Sequence, residues 1–420
     1  MSNLLLKSVI ILNQASEFHN KRVDVRLTNG QITEIGKDLE VDGETEVFDL
    51  EGQFLAPGFI DLNANFGEPG LETKEDILSG SKAAAAGGFT GVALMPNTEP
   101  AVHSKAEVSL IMNRAKENLV NVYPLGAISK NREGKDLAEL YDMFLSGAKA
   151  FTDGNRPVAD AGLMNRALLY AKGFGGVIFS YPEDRSIGGS AKMNEGVTST
   201  ILGMKGMPAL AEELMVSRDL FLAAYNDAPI HFSTITTSGS VALIREAKQR
   251  GMKVTCDVAA HHLVFTDDFV KGFDSNFKVK PPLRTEADVE ALKNGLSDGT
   301  IDAVVSQHTP HEIEFKNVEF EIASYGIIAL QTVLPLALKA GLAPDLIVEK
   351  LSVGPRKALR LPQVGFSVGE YADLVVFDPQ AEWEFGVKTN YSRSGNSPLF
   401  NQKLKGKVSF VCNNRQYYLP

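Results

Sequence analysis

The side chains that could bind a metal ion or transfer a proton follow short apolar runs in this sequence. Asp153 follows "AKAFT", Glu183 comes just after "GVIFSY", and His231 lies within "PIHFST". Imidazole and carboxylate groups bind Zn²⁺ and act as general acids and bases, so metal-assisted hydrolysis is the chemistry to consider first. The number of histidines limits any metal site, and the seven are His19, His103, His231, His261, His262, His308 and His311.

The apolar runs recur eight times, with helical segments between them. A strand covered on both faces is almost continuously apolar, and each run has that character. Eight β/α units predict an α/β fold, a (β/α)8 TIM-type barrel over residues 56–363, with an open doubly wound sheet as the alternative. The predicted strands are 59–63, 90–96, 121–128, 148–152, 176–181, 229–234, 253–258 and 301–307.

The two ends of the chain have a different pattern. Residues 1–55 alternate polar and apolar side chains around an Asn29-Gly30 hairpin signal, and residues 364–420 alternate in the same way. Two β-rich ends that flank a barrel predict one small composite β-sandwich domain built from both termini.

Composition excludes several classes of function. The formal net charge of -10 opposes binding to nucleic acid or to an anionic membrane surface. Hydrophobic residues make up 44% of the chain, but no run approaches the roughly 20 apolar residues of a membrane span. The two cysteines, Cys256 and Cys412, form no metal or disulfide motif, which is typical of a cytoplasmic protein, and Cys256 is interpreted as a core residue.

A barrel enzyme carries its working residues at the carboxyl ends of the strands. At these positions the chain has Asn63 and Asn65, then Asp153, then Tyr181. The later strands contribute His231, the pair His261-His262, and Gln307 followed by His308 and His311. His19 and His103 fall outside this set and are interpreted as surface histidines.

The order of several phrases resembles the bacterial dihydroorotases of the amidohydrolase superfamily over nearly the full length. The phrases are "APGFIDLNANFGEPG", "MPNTEP", "AFTDGNRPV", "MNEG", "HFSTITTSGSVALIREAKQRG", "HHLVFTDD", "KVKPPLR", "HTPH" and "GEYADLVVFDP". The resemblance implies a protein of pyrimidine biosynthesis, because members of that family interconvert carbamoyl-aspartate and dihydroorotate by means of zinc.

The resemblance also locates the family's metal ligands in this sequence. The first strand of the family ends in His-x-His, where this chain has Asn63 and Asn65. The acidic phrase after strand four retains Asp153 but not its second acid, and the strand-five histidine is Tyr181. The strand-six histidine is kept as His231.

The family's proton shuttle and substrate contacts also differ here. The strand-eight aspartate is Gln307, the substrate-binding arginine is Gly67, and the asparagine before Pro-Pro-Leu-Arg is Lys280, whereas Asn97 remains. Gln307 cannot accept a proton, so the sequence predicts loss of the zinc site and of catalysis, with no cofactor. If a metal binds, His231 and Asp153 are the expected ligands; His261, His262, His308 or His311 could complete a rebuilt site.

Three further expectations concern the vacated site. Lys280 could bind an anion there; the favoured alternative is that Lys280 either fills the metal position or pairs with Asp153. Glu183 and Asp184 are expected in a solvated loop. In the loop at 308–326, the apolar residues Ile313, Phe315, Val318 and Phe320 could pack into the empty pocket or dock another protein.

Non-catalytic dihydroorotase-like chains associate with aspartate carbamoyltransferase, so the resemblance implies a structural or assembly partner of that enzyme. We also expect a homo-oligomer, a dimer or larger. Two alternatives remain: an active dihydroorotase or related cyclic-amide hydrolase with an unusual or absent metal site, and a small-molecule binding module.

Overall fold

The apolar runs of the sequence form short strands, and the amphipathic segments between them form helices. The computed structural model describes residues 3–41 and 43–420. The strands, in chain order, are β1 (Asn3–Ile11), β2 (Arg22–Thr28), β3 (Gln31–Gly36), β4 (Thr45–Asp49), β5 (Phe54–Pro57), β6 (Phe59–Ala64), β7 (Phe89–Leu94), β8 (Asn121–Gly126), β9 (Ala150–Phe151), β10 (Ile178–Ser180), β11 (Met193–Asn194), β12 (Gly206–Met207), β13 (Ile230–Phe232), β14 (Val254–Ala259), β15 (Ala303–Val305), β16 (Leu374–Phe385), β17 (Gln402–Asn413) and β18 (Gln416–Tyr418). The α-helices are α1 (Ile77–Ala86), α2 (Lys105–Arg114), α3 (Leu140–Leu145), α4 (Ala161–Gly173), α5 (Arg185–Gly188), α6 (Val197–Leu202), α7 (Leu210–Asn226), α8 (Ser238–Gln249), α9 (Glu286–Ser297), α10 (Val333–Lys339), α11 (Pro344–Val348) and α12 (Gly354–Ala358).

Eight parallel strands form the barrel, in the order β6-β7-β8-β9-β10-β13-β14-β15. A parallel bridge between Ala64 and His308 joins the last strand region to the first. The predicted (β/α)8 barrel is therefore confirmed, with a strand in each of the eight expected places, and the open doubly wound alternative is wrong. Apolar side chains such as Ile60, Leu62 and Phe179 form a core shared by the barrel strands.

The two ends of the chain meet in one sheet. The strand order is β18-β17-β16-β5-β1-β2-β3, and β4 pairs with β1 in addition. The N- and C-terminal strands join where β5 pairs antiparallel with β16. The two ends of the chain thus share one connected eight-stranded sheet. Asn29 and Gly30 link β2 to β3 with φ values of 51° and 79°, the left-handed pair that a two-residue hairpin of this kind requires.

A buried arginine fastens this sheet to the barrel. Arg356 of α12 donates from Nη1 to the carbonyl of Gly58, at 2.7 Å, and pairs through Nη2 with Asp373 at 2.8 Å. Gly58 lies between β5 and β6, and an added Cβ there would come within 2.1 Å of Thr90. The chain therefore passes from the terminal sheet to the barrel through a closely packed segment at Gly58.

No helix in the described part of the chain combines the length and apolar character that crossing a membrane requires.

Candidate functional site

A small cavity lies at the carboxyl ends of the barrel strands. Its volume is about 80 Å³, which is room for two or three waters at about 30 Å³ each and far below the roughly 300 Å³ of a typical small-molecule site. Six of the nine residues singled out in the sequence line it, whereas Gly67, Asp153 and His231 do not. The lining consists of Asn63, Asn65, Met95, Asn97, Gly154, Asn155, Tyr181, Ser233, Lys280, Gln307, Thr309, Tyr325 and Gly326.

Asn65 lies at the seam where the barrel closes. Its backbone N–H and its side-chain Nδ2 both donate to the carbonyl of His308, at 2.8 and 3.0 Å. Nδ2 also lies 3.1 Å from the hydroxyl of Thr309, and Oδ1 accepts from Asn97 at 2.6 Å. The amide is therefore satisfied on both sides by its own protein neighbours.

Asn63 is held in a similar way, whereas Tyr181 is not. The Nδ2 atom of Asn63 donates to the hydroxyls of Ser233 and Thr234 at 3.4 and 3.2 Å. The buried hydroxyl of Tyr181 has no hydrogen-bond partner among the described residues. Burial, followed by the negative charge of Glu183, raises the pKa of Tyr181 well above its ordinary value. Tyr181 is therefore a neutral phenol at the site.

His231 is fully buried, and both of its ring nitrogens have partners. Nε2 lies 2.9 Å from Oδ2 of Asp257, and Nδ1 lies 2.9 Å from the hydroxyl of Thr255. The ring packs on Phe179 with a centroid distance of 4.1 Å. Asp257, the partner of His231, is not among the residues that the sequence singled out. An acid inside the apolar run "KVTCDV" could have indicated a buried polar contact.

Asp153 belongs to a separate network. Its two carboxylate oxygens accept from the N–H and the hydroxyl of Ser129, at 2.9 and 2.5 Å. Its carbonyl accepts from Arg132 at 3.0 Å. Burial raises the pKa of Asp153 above its ordinary value, and the Ser129 hydrogen bonds oppose that shift. The structure does not bring Asp153 and His231 together at the cavity.

Lys280 pairs with Glu183, and the predicted pairing with Asp153 is wrong. The distance from Nζ to Oε1 of Glu183 is 2.9 Å. Glu183 is 5% exposed, so the expectation of a solvated loop is also wrong for this residue, since its charge is neutralised in place by Lys280. Asp184 instead caps α5, accepting from the backbone N–H groups of Ser186 and Ile187.

The histidines near the strand ends are mostly engaged in structural contacts. His262 contacts the carbonyl of Pro281 through Nε2 at 3.1 Å, and His311 contacts that of Tyr325 at 2.9 Å. His308 accepts from the N–H of Ala329 and faces Glu75. His261, stacked on His262, lacks a hydrogen-bond partner for either nitrogen among the described residues.

Gln307 and Gly67 both donate hydrogen bonds to backbone carbonyls. Gln307 donates from Nε2 to the carbonyl of Lys280 at 2.9 Å. A Cβ at Gly67 would lie 2.0 Å from the carbonyl oxygen of Leu71, and the N–H of Gly67 donates to Glu75. No side chain fits at Gly67 without a backbone shift, so the loop itself excludes an arginine there.

The loop that follows β15 is fastened by two buried lysines. Lys278 donates to three carbonyls, those of Phe320, Glu321 and Ala323, at 2.6–2.9 Å. Lys316 donates in the same way to Ser275, Ser324 and Gly326 at 2.6–3.0 Å. Of the loop's apolar residues, Phe320 is buried, whereas Ile313, Phe315 and Val318 are exposed. The loop is ordered without filling the cavity with apolar side chains.

Within residues 3–41 and 43–420, no group of three or more His, Cys, Asp or Glu side chains is arranged to hold a metal ion. Cys256 is a fully buried strand residue, as the sequence predicts, and burial raises the pKa of its thiol well above the ordinary value.

Comparison with known proteins gives matches over the full chain. The dihydro-orotase-like family model matches residues 52–240, and the amidohydrolase family model matches residues 184–412. Dihydroorotases of Geotalea daltonii and of Geobacter sp. strain M21 are both 44% identical over 414 residues, 97% of each chain. The dihydroorotase of Acetivibrio thermocellus is 43% identical over 401 residues, 94% of each chain.

Solved structures with the same architecture include two hydantoinases. The L-hydantoinase (dihydropyrimidinase) of Arthrobacter aurescens gives a TM-score of 0.86 at 22% identity, covering 99% of this chain and 96% of that one. A D-hydantoinase gives 0.84 at 21% identity, covering 99% and 95%. At these identities the likeness shows a shared fold.

The buried His262 predicts loss of stability in acid. Burial lowers its pKa from 6.5 to about 4. Between these values the unfolded chain binds a proton that the folded chain does not, so the free energy of unfolding falls as pH drops from 6.5 to 4, by roughly 3 kcal/mol. The measurement is the free energy of unfolding from chemical denaturation at pH 7 and at pH 4.5. We expect His262→Gln, which keeps a hydrogen-bond donor for the carbonyl of Pro281, to remove most of the loss that His262 causes between these two pH values. An unchanged difference between the two pH values would contradict the assignment, and the unfolding transition at pH 7 serves as the folding control.

Proposed function

Because this chain belongs to the dihydroorotase-like family of amidohydrolases, we propose that it is a non-catalytic cytoplasmic member of that family. We propose that it acts in de novo pyrimidine synthesis as a structural or assembly partner of aspartate carbamoyltransferase. One observation carries the loss of catalysis: Asn63 and Asn65, where the family has two histidine ligands, hydrogen-bond to their own protein neighbours beside a cavity of about 80 Å³.

The residues at these positions do not fit a zinc ion. Zinc takes three or four charged or imidazole ligands in proteins, and amide oxygens are weak, uncharged substitutes. The imidazole of His231 is already bonded at both nitrogens, and Asp153 is held by Ser129 in a different network. Two residues that could bind a metal, His231 and Asp153, are therefore engaged in other contacts, and the other ligand positions hold amides or a phenol.

The proton chemistry also lacks its groups. Closing the dihydroorotate ring needs a base for the amide proton and an electrophile for the carbonyl. Gln307 can do neither, and its Nε2 is directed at the backbone of Lys280. Lys280 is the cation that borders the cavity, and its charge is balanced by Glu183.

An active dihydroorotase or related cyclic-amide hydrolase is the competing function. The observation that favours it is the 44% identity, over 97% of both chains, with proteins named dihydroorotase. Such an enzyme would need a larger cavity and a proton acceptor other than Gln307, so the two functions differ in metal content and in turnover.

Metal analysis and turnover separate the two functions. We expect less than about 0.1 zinc per chain after purification without chelator, since three or more ligands are required. We also expect no interconversion of carbamoyl-aspartate and dihydroorotate above background with zinc, cobalt or manganese added. Tightly held zinc near one ion per chain, or a metal-dependent rate proportional to protein concentration, would contradict the proposal.

A reversion variant provides the matched control for that measurement. Asn63→His, Asn65→His, Tyr181→His and Gln307→Asp together return the family's ligand types, so metal binding should rise. Full activity should not return, because the Gly67 loop leaves no space for the substrate-binding arginine. Full activity in the reverted protein would contradict this account of the loop.

The partner is proposed from the family resemblance, since non-catalytic chains of this type associate with aspartate carbamoyltransferase. We expect this chain to co-purify with the aspartate carbamoyltransferase of its own cell, which should lose assembly or activity when this chain is deleted. Gln307→Asn shortens the side chain, so that it no longer reaches the carbonyl of Lys280. Asn tolerates the positive φ of 52° at this position. Cells carrying it should grow without uracil. No complex at micromolar concentrations, or a uracil requirement caused by Gln307→Asn in a folded protein, would contradict the scaffold role.

The homo-oligomer is proposed from exposed apolar side chains on the outer helices α3, α4 and α7, called the α4/α7 patch. Tyr141 of α3 and Tyr170 of α4 both contact the ring of Phe174, so α3 lies beside the end of α4. Asn226 at the end of α7 donates to Asn165 of α4, so these two helices lie side by side. A standard dimer interface covers about 800 Å² per partner, and eight side chains of this size, partly exposed, supply an area of that order. The patch consists of Tyr141, Leu145, Leu169, Tyr170, Leu210, Leu214, Phe221 and Tyr225.

A second copy of this chain is the partner that suits the α4/α7 patch. Arg218, within the exposed stripe of α7, has its guanidinium bonded to Asp219 and to the carbonyls of Val158 and Ala159. The Arg218 guanidinium therefore has its own partners within the chain and brings no unpaired charge to the patch. Phe221 is 73% exposed and Tyr225 is 84% exposed, which makes them the most accessible anchors.

Light scattering after size exclusion tests this dimer. We expect twice the chain mass of 45.5 kDa for the parent protein. Phe221→Lys should shift it to the monomer, because a charge buried without a partner destabilises an interface, whereas Gln249→Lys on the exposed face of α8 should leave the dimer intact. A monomeric parent, or a Phe221→Lys dimer of unchanged stability, would contradict the assignment.

A further inference from the structure

Three arginines lie around Asn155, at the mouth of the barrel. Nη2 of Arg132 donates to the side-chain oxygen of Asn155 at 2.7 Å, and Nη2 of Arg185 donates to the backbone carbonyl of the same residue at 3.3 Å. Arg156, the next residue in the chain, donates from Nη1 to the carbonyl of Arg132 at 3.3 Å. Asn155 itself lines the small cavity. Arg132, Arg156 and Arg185 are called the arginine cluster.

Arg132 is the most firmly held member of the arginine cluster. It is 8% exposed, and its Nε donates to the carbonyl of Asp153 at 3.0 Å. Its φ of 58° lies in the left-handed region, which a bulky residue adopts only where the surrounding structure imposes it. Its Nη1 has no hydrogen-bond partner in the described part of the chain and is not shut off from solvent. A guanidinium in a fixed position therefore keeps one nitrogen free to donate to a ligand.

The members of the arginine cluster repel one another. Burial, followed by the positive charge of Arg156, lowers the pKa of Arg132 to about 10; the charge of Asp153 opposes this shift and that of Arg185 adds to it. A guanidinium with a lowered pKa is one whose charged form is destabilised by its surroundings. An anion bound between these groups would remove that repulsion.

The carboxylates of the chain do not neutralise Arg132 and Arg156 at contact distance. Neither arginine forms an ion pair within 4 Å in the part of the chain that the structure describes. Both carboxylate oxygens of Asp153 accept from Ser129, and this residue presents its backbone carbonyl to Arg132.

Arg185 is only loosely paired. Its Nε lies 4.0 Å from Oε1 of Glu183, whereas Lys280 lies 2.9 Å from the same oxygen. The side chain of Arg185 is 55% exposed, so an ion pair at this distance contributes little. Each of the three guanidinium groups thus retains charge and donors for a ligand.

We propose that the arginine cluster binds phosphate, either as the free ion or as the phosphoryl group of a small molecule. Such a group carries close to two negative charges at pH 7 and presents three terminal oxygens, one for each guanidinium. Guanidinium groups bind it through charge-assisted hydrogen bonds, which are about twice as strong as neutral ones. A carboxylate, with two oxygens and one charge, matches the cluster less well. Neither the proposed assembly role nor the loss of catalysis is needed for this binding.

Proton NMR of a methyl-labelled probe tests the site on the full chain. At pH 7.5 and constant ionic strength, methyl phosphate is mainly a dianion, and methyl sulfate is a monoanion of similar shape. We expect methyl phosphate to bind saturably with a Kd on the order of 1 mM, and methyl sulfate to bind at least about fivefold more weakly because it carries less charge. No saturation up to about 30 mM methyl phosphate, or equal binding of methyl sulfate, would overturn the site.

Inorganic phosphate, added as a competitor, distinguishes the two sources of the ligand. Displacement of methyl phosphate by a lower concentration of inorganic phosphate supports the site and identifies the free ion as its ligand. Displacement that needs a higher concentration supports a phosphoryl group carried by a small molecule. The absence of any displacement would mean that the phosphoryl oxygens are not what binds, and would overturn the site.

A chelator separates this inference from the proposed function. EDTA should leave the Kd of methyl phosphate unchanged, since arginines and not a metal ion hold the probe. Binding that disappears with EDTA would assign the probe to a metal ion at the mouth of the barrel. That result would overturn the arginine cluster as the site and would also count against the proposed loss of zinc. Failure of methyl phosphate to bind in a zinc-free protein would overturn the site alone.

Matched charge-removing variants locate the interaction. Arg156→Gln and Arg185→Gln each remove one charge from the arginine cluster, and we expect each to weaken methyl phosphate at least about fivefold. The control is Arg250→Gln, an exposed arginine at the end of α8. Because α8 leads into β14, this end lies at the opposite face of the barrel, and the Kd should change less than about twofold.

Two results with these variants would contradict the assignment. One is a change below about twofold in either Arg156→Gln or Arg185→Gln, since each guanidinium is assigned a direct hydrogen bond. The other is an equal effect of Arg250→Gln, which would mean a diffuse effect of net charge. Circular dichroism and the unfolding transition of each variant check that the three proteins fold.

Discussion

Closure of the barrel between its first and last strands is the constraint on which the rest of the site depends. β6 meets the segment that follows β15 through an isolated bridge, Ala64 to His308, so side chains supply hydrogen bonds that a longer ladder would have made. The carboxylate of Asp61 accepts both the N–H and the hydroxyl of Ser306, and burial raises the pKa of Asp61 to about 6. Asn65 then bonds twice to His308. The side-chain amide of Asn65 is thereby part of what closes the barrel.

The buried acids near the strand ends are likewise paired with side chains of the same chain. Each buried carboxylate needs its own neutralising or donating partner. Asp257 has His231, Asp153 has Ser129, and Glu183 has Lys280. These pairs use side chains from different strands and loops, so the acids are satisfied locally and are not drawn together at one point. The small cavity is what remains once each of them has its partner.

The sequence predicted the eight strands because strands covered on both faces are continuously apolar, and it predicted the strand-end residues because all parallel strands of a barrel end on one face. It could not tell which of those residues face the cavity. His231 turns into the core against Phe179, and Asp153 bonds to Ser129 outside the cavity lining. Pairing of Lys280 with Glu183 joins segments almost a hundred residues apart, for which no periodic signal exists.

The loop that follows β15 is held in place by hydrogen bonds within the chain. Fixing a loop of this length costs about 1–2 kcal/mol per residue in conformational entropy, and Lys278 and Lys316 offset part of that cost by donating to six carbonyls between them. Because these bonds are internal, Ile313 and Val318 are presented in a fixed position before anything binds. The position of this loop is therefore set by contacts within the chain, chiefly those of Lys278 and Lys316.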